Sequence, residues 1–238
     1  MEEDQTLHNV AHLVLIEIVS YLIGENKTLF SLIMTCQRFA QKRHIFLKGC
    51  VFKSLKSKWL YETQPKYWNQ VHTLELSSCQ NIRNVSALGY VHTLCIYNCQ
   101  NITDVSALGY VHTLSLGYCQ NITDVSALGH IHTLTLYNCQ NITDVSALGH
   151  VHTLYFDDCQ NITDVSALGH VHTLTLYDCP NVTDVSSLRH VHTLELDFCP
   201  NITDVSALEH VHTLYLRYCQ HITDVSALKT VNIKHFYF

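Results

Sequence analysis

From position 71 to the end of the chain, apolar residues fall on a fixed 20-residue grid. The unit reads Val-His-Thr-Leu-x-Leu-x-x-Cys-Gln-Asn-Ile-Thr-Asp-Val-Ser-Ala-Leu-Gly-His. Eight copies begin at Val71, Val91, Val111, Ile131, Val151, Val171, Val191 and Val211. Two periods alternate within a copy. Thr93-Leu94-Cys95-Ile96-Tyr97 alternates with period two, which predicts a short strand with Leu94 and Ile96 inward. Ile102, Val105 and Leu108 recur every third residue, which suits a tight 3₁₀-like turn better than an α-helix. Asp104, and Asn84 in the first copy, stand where a side chain can cap the free N–H groups of that turn. Gly109 would ease the return to the next strand. Arg189, Glu209 and Lys229 take the same place later, so the position does not demand a positive φ.

A single unit cannot bury its own apolar side, but stacked units can. The grid therefore predicts a solenoid whose parallel strands lie about 4.8 Å apart, with eight rungs spanning roughly 35–40 Å. Its ends need covering. Residues 59–68, with Trp59, Tyr61, Pro65, Tyr67 and Trp68, are expected to form the N-terminal cap. Val231 starts a ninth copy that fails, and Ile233, Phe236 and Phe238 are expected to fold over the last rung. The frame L-x-x-L-x-L-x-x-C, carried in the second copy by Val91, Leu94, Ile96 and Cys99, resembles the leucine-rich-repeat family over residues 71–238. That resemblance implies an α/β solenoid with 20-residue units, a parallel concave sheet and an inward Cys at each strand end.

The first 50 residues follow a helical pattern instead. Leu15, Ile18, Val19 and Leu22 have i, i+3, i+4, i+7 spacing. Gly24-Glu25-Asn26 breaks that helix, and a second would carry Leu29, Leu32, Ile33, Cys36 and Phe39. Two or three helices of this length make a marginal core, of a kind often completed by a partner. Ile18-Val19-Ser20-Tyr21-Leu22 and the run Leu29 to Phe39, with its Cys-x-Arg-Phe ending, resemble the two conserved blocks of an F-box. The family's early Pro and Glu fall on Ala11 and Leu13. The resemblance covers residues 7–50. It implies docking on a Skp-type adaptor of a cullin–RING ubiquitin ligase, with Leu15, Ile18, Leu22, Leu29, Leu32, Cys36 and Phe39 facing the adaptor. The expected organisation is thus an F-box-like helical module at 1–50, a linker and cap at 51–70, and the solenoid with its C-terminal cap at 71–238. The pairing of this module with near-identical short repeats is similar to proteins of large DNA viruses that infect amoebae, which would place the protein in a host cytoplasm.

Charge narrows the partner class. The chain carries a formal −6, unevenly placed. Residues 1–70 hold nine Lys/Arg against six Asp/Glu, a net of +3, and residues 71–238 hold five against fourteen, a net of −9. A repeat region this acidic excludes duplex nucleic acid as its ligand. The start, Met1-Glu2-Glu3-Asp4, is acidic where a signal peptide is basic. The apolar stretch from Val10 to Ile23 contains His12 and Glu17 and falls short of the roughly 20 residues that cross a bilayer. The chain reads as intracellular and not membrane-bound, so its eleven Cys are expected to be reduced thiols. Sequons such as Asn101-Ile102-Thr103 are then by-products of the repeat.

Two columns invite chemistry. One is Cys79 and its equivalents to Cys219. The other is His72 and its equivalents to His212. His92 and Cys99 lie seven extended residues apart, roughly 20 Å. That is too far for a nucleophile and its base or for two ligands of one zinc ion. The Cys column reads as buried small thiols and the His column as an exposed ladder bonded to loop backbone. A second column, His130, His150, His170, His190 and His210, lies two residues upstream of five members of the first. Neighbouring imidazoles leave open a shared metal or a pH response. No catalytic residue, cofactor or resident metal is expected.

Against the fixed columns, the fifth, seventh and eighth residues of each copy vary. Strand alternation turns the fifth and seventh outward from the sheet. The candidate contact residues are Glu75, Tyr97, Tyr118, Tyr137, Tyr155, Asp157, Asp158, Tyr177, Asp178, Glu195, Asp197, Phe198, Tyr215, Arg217 and Tyr218. Aromatic side chains supply contact energy at protein interfaces. Asp157, Asp158, Asp178, Glu195 and Asp197 make an acidic patch suited to a basic protein or peptide segment. The expected function is a non-catalytic substrate receptor of a ubiquitin ligase. Two alternatives stand beside it: a repeat scaffold or inhibitor that binds no adaptor, and a metal-binding protein built on the His columns.

Overall fold

The computed structural model describes residues 72–237, with side chains described as far as Lys234. The expected helices, linker and N-terminal cap lie outside the described residues. Nine strands form one parallel sheet in strict chain order. They are β1 (Thr73–Ser77), β2 (Thr93–Tyr97), β3 (Thr113–Gly117), β4 (Thr133–Tyr137), β5 (Thr153–Asp157), β6 (Thr173–Tyr177), β7 (Thr193–Asp197), β8 (Thr213–Arg217) and β9 (Asn232–Tyr237). From β1 to β8 the register is in phase, so each residue faces its counterpart 20 positions on: Leu94 pairs with Leu114, and Leu114 with Leu134. Identical residues therefore stack into columns. The inward columns, such as Leu94, Ile96, Cys99, Ile102, Val105 and Leu108, are buried in every copy except at Val225 in the last, which is only partly buried.

A short 3₁₀ turn follows each of the first seven strands, for example Ser106–Leu108 after β2 and Ser146–His150 after β4. This agrees with the three-residue spacing of Ile102, Val105 and Leu108. The caps form as expected: Asp104 accepts from the Ser106 N–H at 2.8 Å, and Asn84 from the Ser86 N–H at 2.7 Å. Hydrogen bonds from the hydroxyl and then the N–H of the Ser two residues on hold the Asp104, Asp124 and Asp144 carboxyls below the usual carboxylate range.

Gly109 has φ −60, in keeping with a position that does not demand a positive φ. Its value is closeness, because a Cβ there would collide with the Ala127 carbonyl of the next rung. At the chain end, residues 232–237 pair in parallel with β8 and extend the sheet as a ninth strand, with a register shift between Tyr215 and Arg217. Ile233 packs partly against the core. The tail continues the ladder instead of folding across it, because its backbone groups find partners on β8.

Candidate protein-binding face

The alternation along each strand places the fifth and seventh residues on the face opposite the core. Every fifth- and seventh-position residue is at least partly exposed except Gly117, Thr175 and Asp197. The eighth residue behaves differently from a freely varying surface position. All eight examples adopt the left-handed conformation, with φ between 47 and 54. The N–H of each of the first seven still extends the ladder, as from Asn98 to the Gly117 carbonyl at 2.8 Å. The chain then swings away from the sheet.

Asn98, Asn138, Asp158 and Asp178 suit that conformation, since short polar side chains tolerate it. Tyr118, Phe198 and Tyr218 do not, and each costs on the order of 1 kcal/mol of strain there. Ring packing offsets that cost. Tyr118 meets Tyr97 edge-on at 5.0 Å and Tyr137 at 4.8 Å, and the Tyr118 and Tyr137 hydroxyls lie 2.8 Å apart. Between Tyr97 and Tyr137 stands Gly117, where a Cβ would come within 2.7 Å of the Tyr97 ring. A second cluster joins Tyr177, Phe198 and Tyr218, with Phe198 stacked on Tyr218 at 4.4 Å. The face thus carries two aromatic clusters, with Tyr155, Asp157 and Asp158 in the stretch between them.

The acidic patch is smaller than the sequence suggests. Asp197 is 4% exposed and so does not present an open carboxylate. Its Oδ2 faces Arg217 Nη1 at 3.6 Å, and the other Arg217 amino group pairs with Glu195. The guanidinium also lies over the Tyr215 ring, 5.9 Å from its centroid. Arg217 therefore neutralises the C-terminal end of the patch. Asp158 is also engaged, accepting from the Asn138 and Gln160 side-chain amides. Asp157 and Asp178 remain, with Asp157 accepting from the Tyr155 hydroxyl at 3.2 Å. Burial pushes the Asp157 carboxyl above its usual range, and the charges of Asp158 and Asp178 add to the shift. Burial likewise pushes the Tyr155 phenol up to about 12, helped by the Asp157 charge. Glu75 lies half-buried at the other end of the face, on β1.

The Gln and Asn columns, broken by Pro180, Pro200 and His221, form two amide ladders. Gln120 donates to the Asn138 carbonyl at 2.9 Å and Gln140 to the Asp158 carbonyl at 2.7 Å. Asn121 donates back to the Gln100 carbonyl at 2.6 Å. They satisfy backbone groups where the chain leaves the sheet.

The Cys column is buried, and its thiols donate backward to strand carbonyls, as Cys139 does to Leu116 O at 3.5 Å. Burial pushes the Cys139 and Cys199 thiols up to about 12, the opposite of an activated nucleophile. The first His column is an exposed stack with ring centroids 4.5–4.6 Å apart. Each Nδ1 lies 3.0–3.2 Å from the hydroxyl of the following Thr, so the expected bond to loop backbone is replaced by one to a side chain. Parallel rings point their lone pairs side by side, whereas zinc needs them to converge on one ion. Among the described residues, no group of three or more His, Cys, Asp or Glu is arranged to hold a metal ion.

Burial, then the charge of neighbouring imidazoles, holds the pKa of His92, His152 and His192 below the ordinary 6.5. The unfolded chain therefore binds more protons than the folded one just below that value. Stability is full above pH 6.5 and falls as the pH drops through the depressed folded values. Urea midpoints measured at several pH values should show this loss, and His152→Gln should reduce it.

No protein-family model matches the chain, and no curated protein matches it. Solved structures do. An internalin C2 from Listeria monocytogenes str. 4b F2365 superposes with a TM-score of 0.54 at 25% identity, over 72% of this chain and 82% of that one. An internalin, InlF, from the same strain gives 0.52 at 24% identity over 73% of this chain, and the match spans 56% of the InlF chain. The leucine-rich-repeat domain of the type III effector XopL gives 0.48 at 14% identity, over 82% and 79% of the two chains. The repeats have the leucine-rich-repeat fold. In leucine-rich-repeat terms, the varying residues lie on the strand side of each unit and the capped turns on the other. No helix among the described residues is long and apolar enough to cross a membrane. The adaptor-facing candidates Leu15, Ile18, Leu22, Leu29, Leu32, Cys36 and Phe39 lie outside the described residues.

Proposed function

We propose that this protein is a non-catalytic receptor that holds a protein partner on the sheet face of its leucine-rich repeats. The observation that carries this reading is the pair of aromatic clusters on that face, Tyr97–Tyr118–Tyr137 and Tyr177–Phe198–Tyr218. Tyr97, Phe198 and Tyr218 keep 40%, 40% and 46% of their surface exposed, which is costly on an idle face and useful on a binding one. The finer form of the proposal takes in the first 50 residues, whose blocks ending in Leu22 and Phe39 resemble an F-box. The repeats would then select a target and the N-terminal module would deliver it to a Skp-type adaptor. Ubiquitin transfer would take place on other subunits.

Affinity purification of the full chain from eukaryotic cells separates the two ends. Leu22→Asp with Phe39→Asp should lose the adaptor and keep the target. Tyr97→Ser with Tyr137→Ser should lose the target and keep the adaptor. If the wild-type chain recovers no adaptor, or recovers it equally after the first pair of changes, the receptor form is wrong and a plain repeat scaffold remains.

A further inference from the structure

The fixed positions repeat on every strand, but the seventh position repeats on every second one. From β2 to β7 it reads Tyr97, Gly117, Tyr137, Asp157, Tyr177, Asp197. A tyrosine thus alternates with a glycine or an aspartate along the solenoid. Strands of a sheet lie about 4.8 Å apart, so successive tyrosines are anchored about 9.6 Å apart and the three together cover about 19 Å. All three present ring surface to solvent: Tyr97 is 40% exposed, and Tyr137 and Tyr177 are part-exposed.

That interval selects among backbone shapes. A polyproline II helix completes a turn about every 9.3 Å. The pitch of an α-helix is about 5.4 Å, and one face of a β-strand repeats about every 6.7 Å. Of the three, the polyproline II form puts successive turns over successive tyrosines. Its carbonyls have no partner within their own chain. The Tyr118 and Tyr137 hydroxyls share one hydrogen bond, which uses one of their two protons and leaves the other for an acceptor. Charge on the repeats is complementary to a basic segment: residues 71–238 carry a net −9, and Asp157 lies in the column between Tyr137 and Tyr177.

We propose that Tyr97, Tyr137 and Tyr177 form a docking track for a basic, proline-rich segment of the protein partner, lying across the strands in polyproline II form with one turn against each ring. This rests on the receptor reading and specifies the partner's chemistry. Phenol rings offer flat apolar surface to the pyrrolidine rings and hydroxyls to the carbonyls between them. A backbone already held in this form loses little freedom on binding, so a short segment suffices.

The test uses the full-length protein and two fluorescein-labelled nonapeptides, (Pro-Pro-Arg)3 and (Gly-Gly-Arg)3, followed by anisotropy. The peptides carry the same charge and differ in backbone form. The proline peptide should bind about tenfold more tightly or better. Tyr137→Ser with Tyr177→Ser should weaken it about tenfold or more. Serine already fills this column at Ser77, so the strands accept the change. Tyr90→Ser with Tyr110→Ser removes two exposed tyrosines that lie off the sheet face, and should change affinity less than about twofold. Equal weakening by both pairs, equal binding of the two peptides, or no binding of (Pro-Pro-Arg)3 would overturn the proposal. If that happens while Tyr97→Ser with Tyr137→Ser still releases the cellular target, the polyproline track is wrong and the receptor reading stands. If those changes also release nothing, both fail.

Discussion

Phe156→Ala should lower the unfolding free energy by about 3–5 kcal/mol, the cost of a deleted core aromatic. The ring is fully buried, in the column where the adjacent strands place Leu136 and Leu176. Its loss empties a space that neighbouring rungs, locked in register on both sides, have little freedom to close. The solenoid form adds a second consequence. Each rung contacts chiefly its neighbours, so a weak rung in the middle uncouples the two halves. Urea unfolding followed by circular dichroism should show a lower midpoint and a broader transition. Phe156→Leu, which restores the residue of the adjacent strands, should cost less than about 1.5 kcal/mol. Equal losses from the two substitutions would show that the column is not packed as described.

Cys139→Asp should be about as damaging at neutral pH, on the order of 3–5 kcal/mol, because it leaves a buried charge uncompensated. The thiol it replaces is fully buried and donates to two carbonyls, Leu116 O at 3.5 Å and Tyr137 O at 3.5 Å. A carboxylate there would face two acceptors and no donor. A neutral carboxyl could donate as the thiol does. The folded-state pKa of the new Asp is therefore raised above its unfolded value. The native state is least penalised below the unfolded pKa, and the penalty grows as pH rises towards the folded pKa. The destabilisation relative to wild type should shrink in acid. Cys139→Ala, which removes the donor without adding charge, should cost about 1 kcal/mol with no such pH dependence. A flat pH response for the Asp variant would contradict the buried ladder.

Much of the scaffold was legible because its physics is local and repeated. Leu94 and Ile96 point inward from period-two alternation alone, and Asp104 caps as its position before the turn requires. Stacking in register follows from identical units, since only an in-phase ladder buries every Leu. What the alternation could not show is how a side chain is covered by the next rung. Asp197 sits on an outward position and is still 4% exposed, because Arg217 lies 20 residues further along the chain and beside it in space. The left-handed eighth position was hidden for a different reason. Such a turn is usually marked by glycine, and here Ser, Asn, Asp, Tyr and Phe fill it, so variation looked like freedom when the backbone was constrained. The one available signal was Asn98, Asn138, Asp158 and Asp178, four of eight residues of the kind that tolerates a positive φ. The ninth strand was missed because Asn232–Tyr237 lacks the repeat motif, although its backbone pairs as the motif's does.

The central claim is that the strand side of the repeats, and not the turn side, meets the partner. Site-specific photo-cross-linking tests it most directly. Benzoylphenylalanine placed one position at a time at Tyr97, Tyr137 and Tyr177 should capture the same protein from cells. The same group at the exposed turn-side positions Thr103, Thr143 and Thr183 should capture little of it. Capture from the turn positions with none from the three tyrosines would contradict the account.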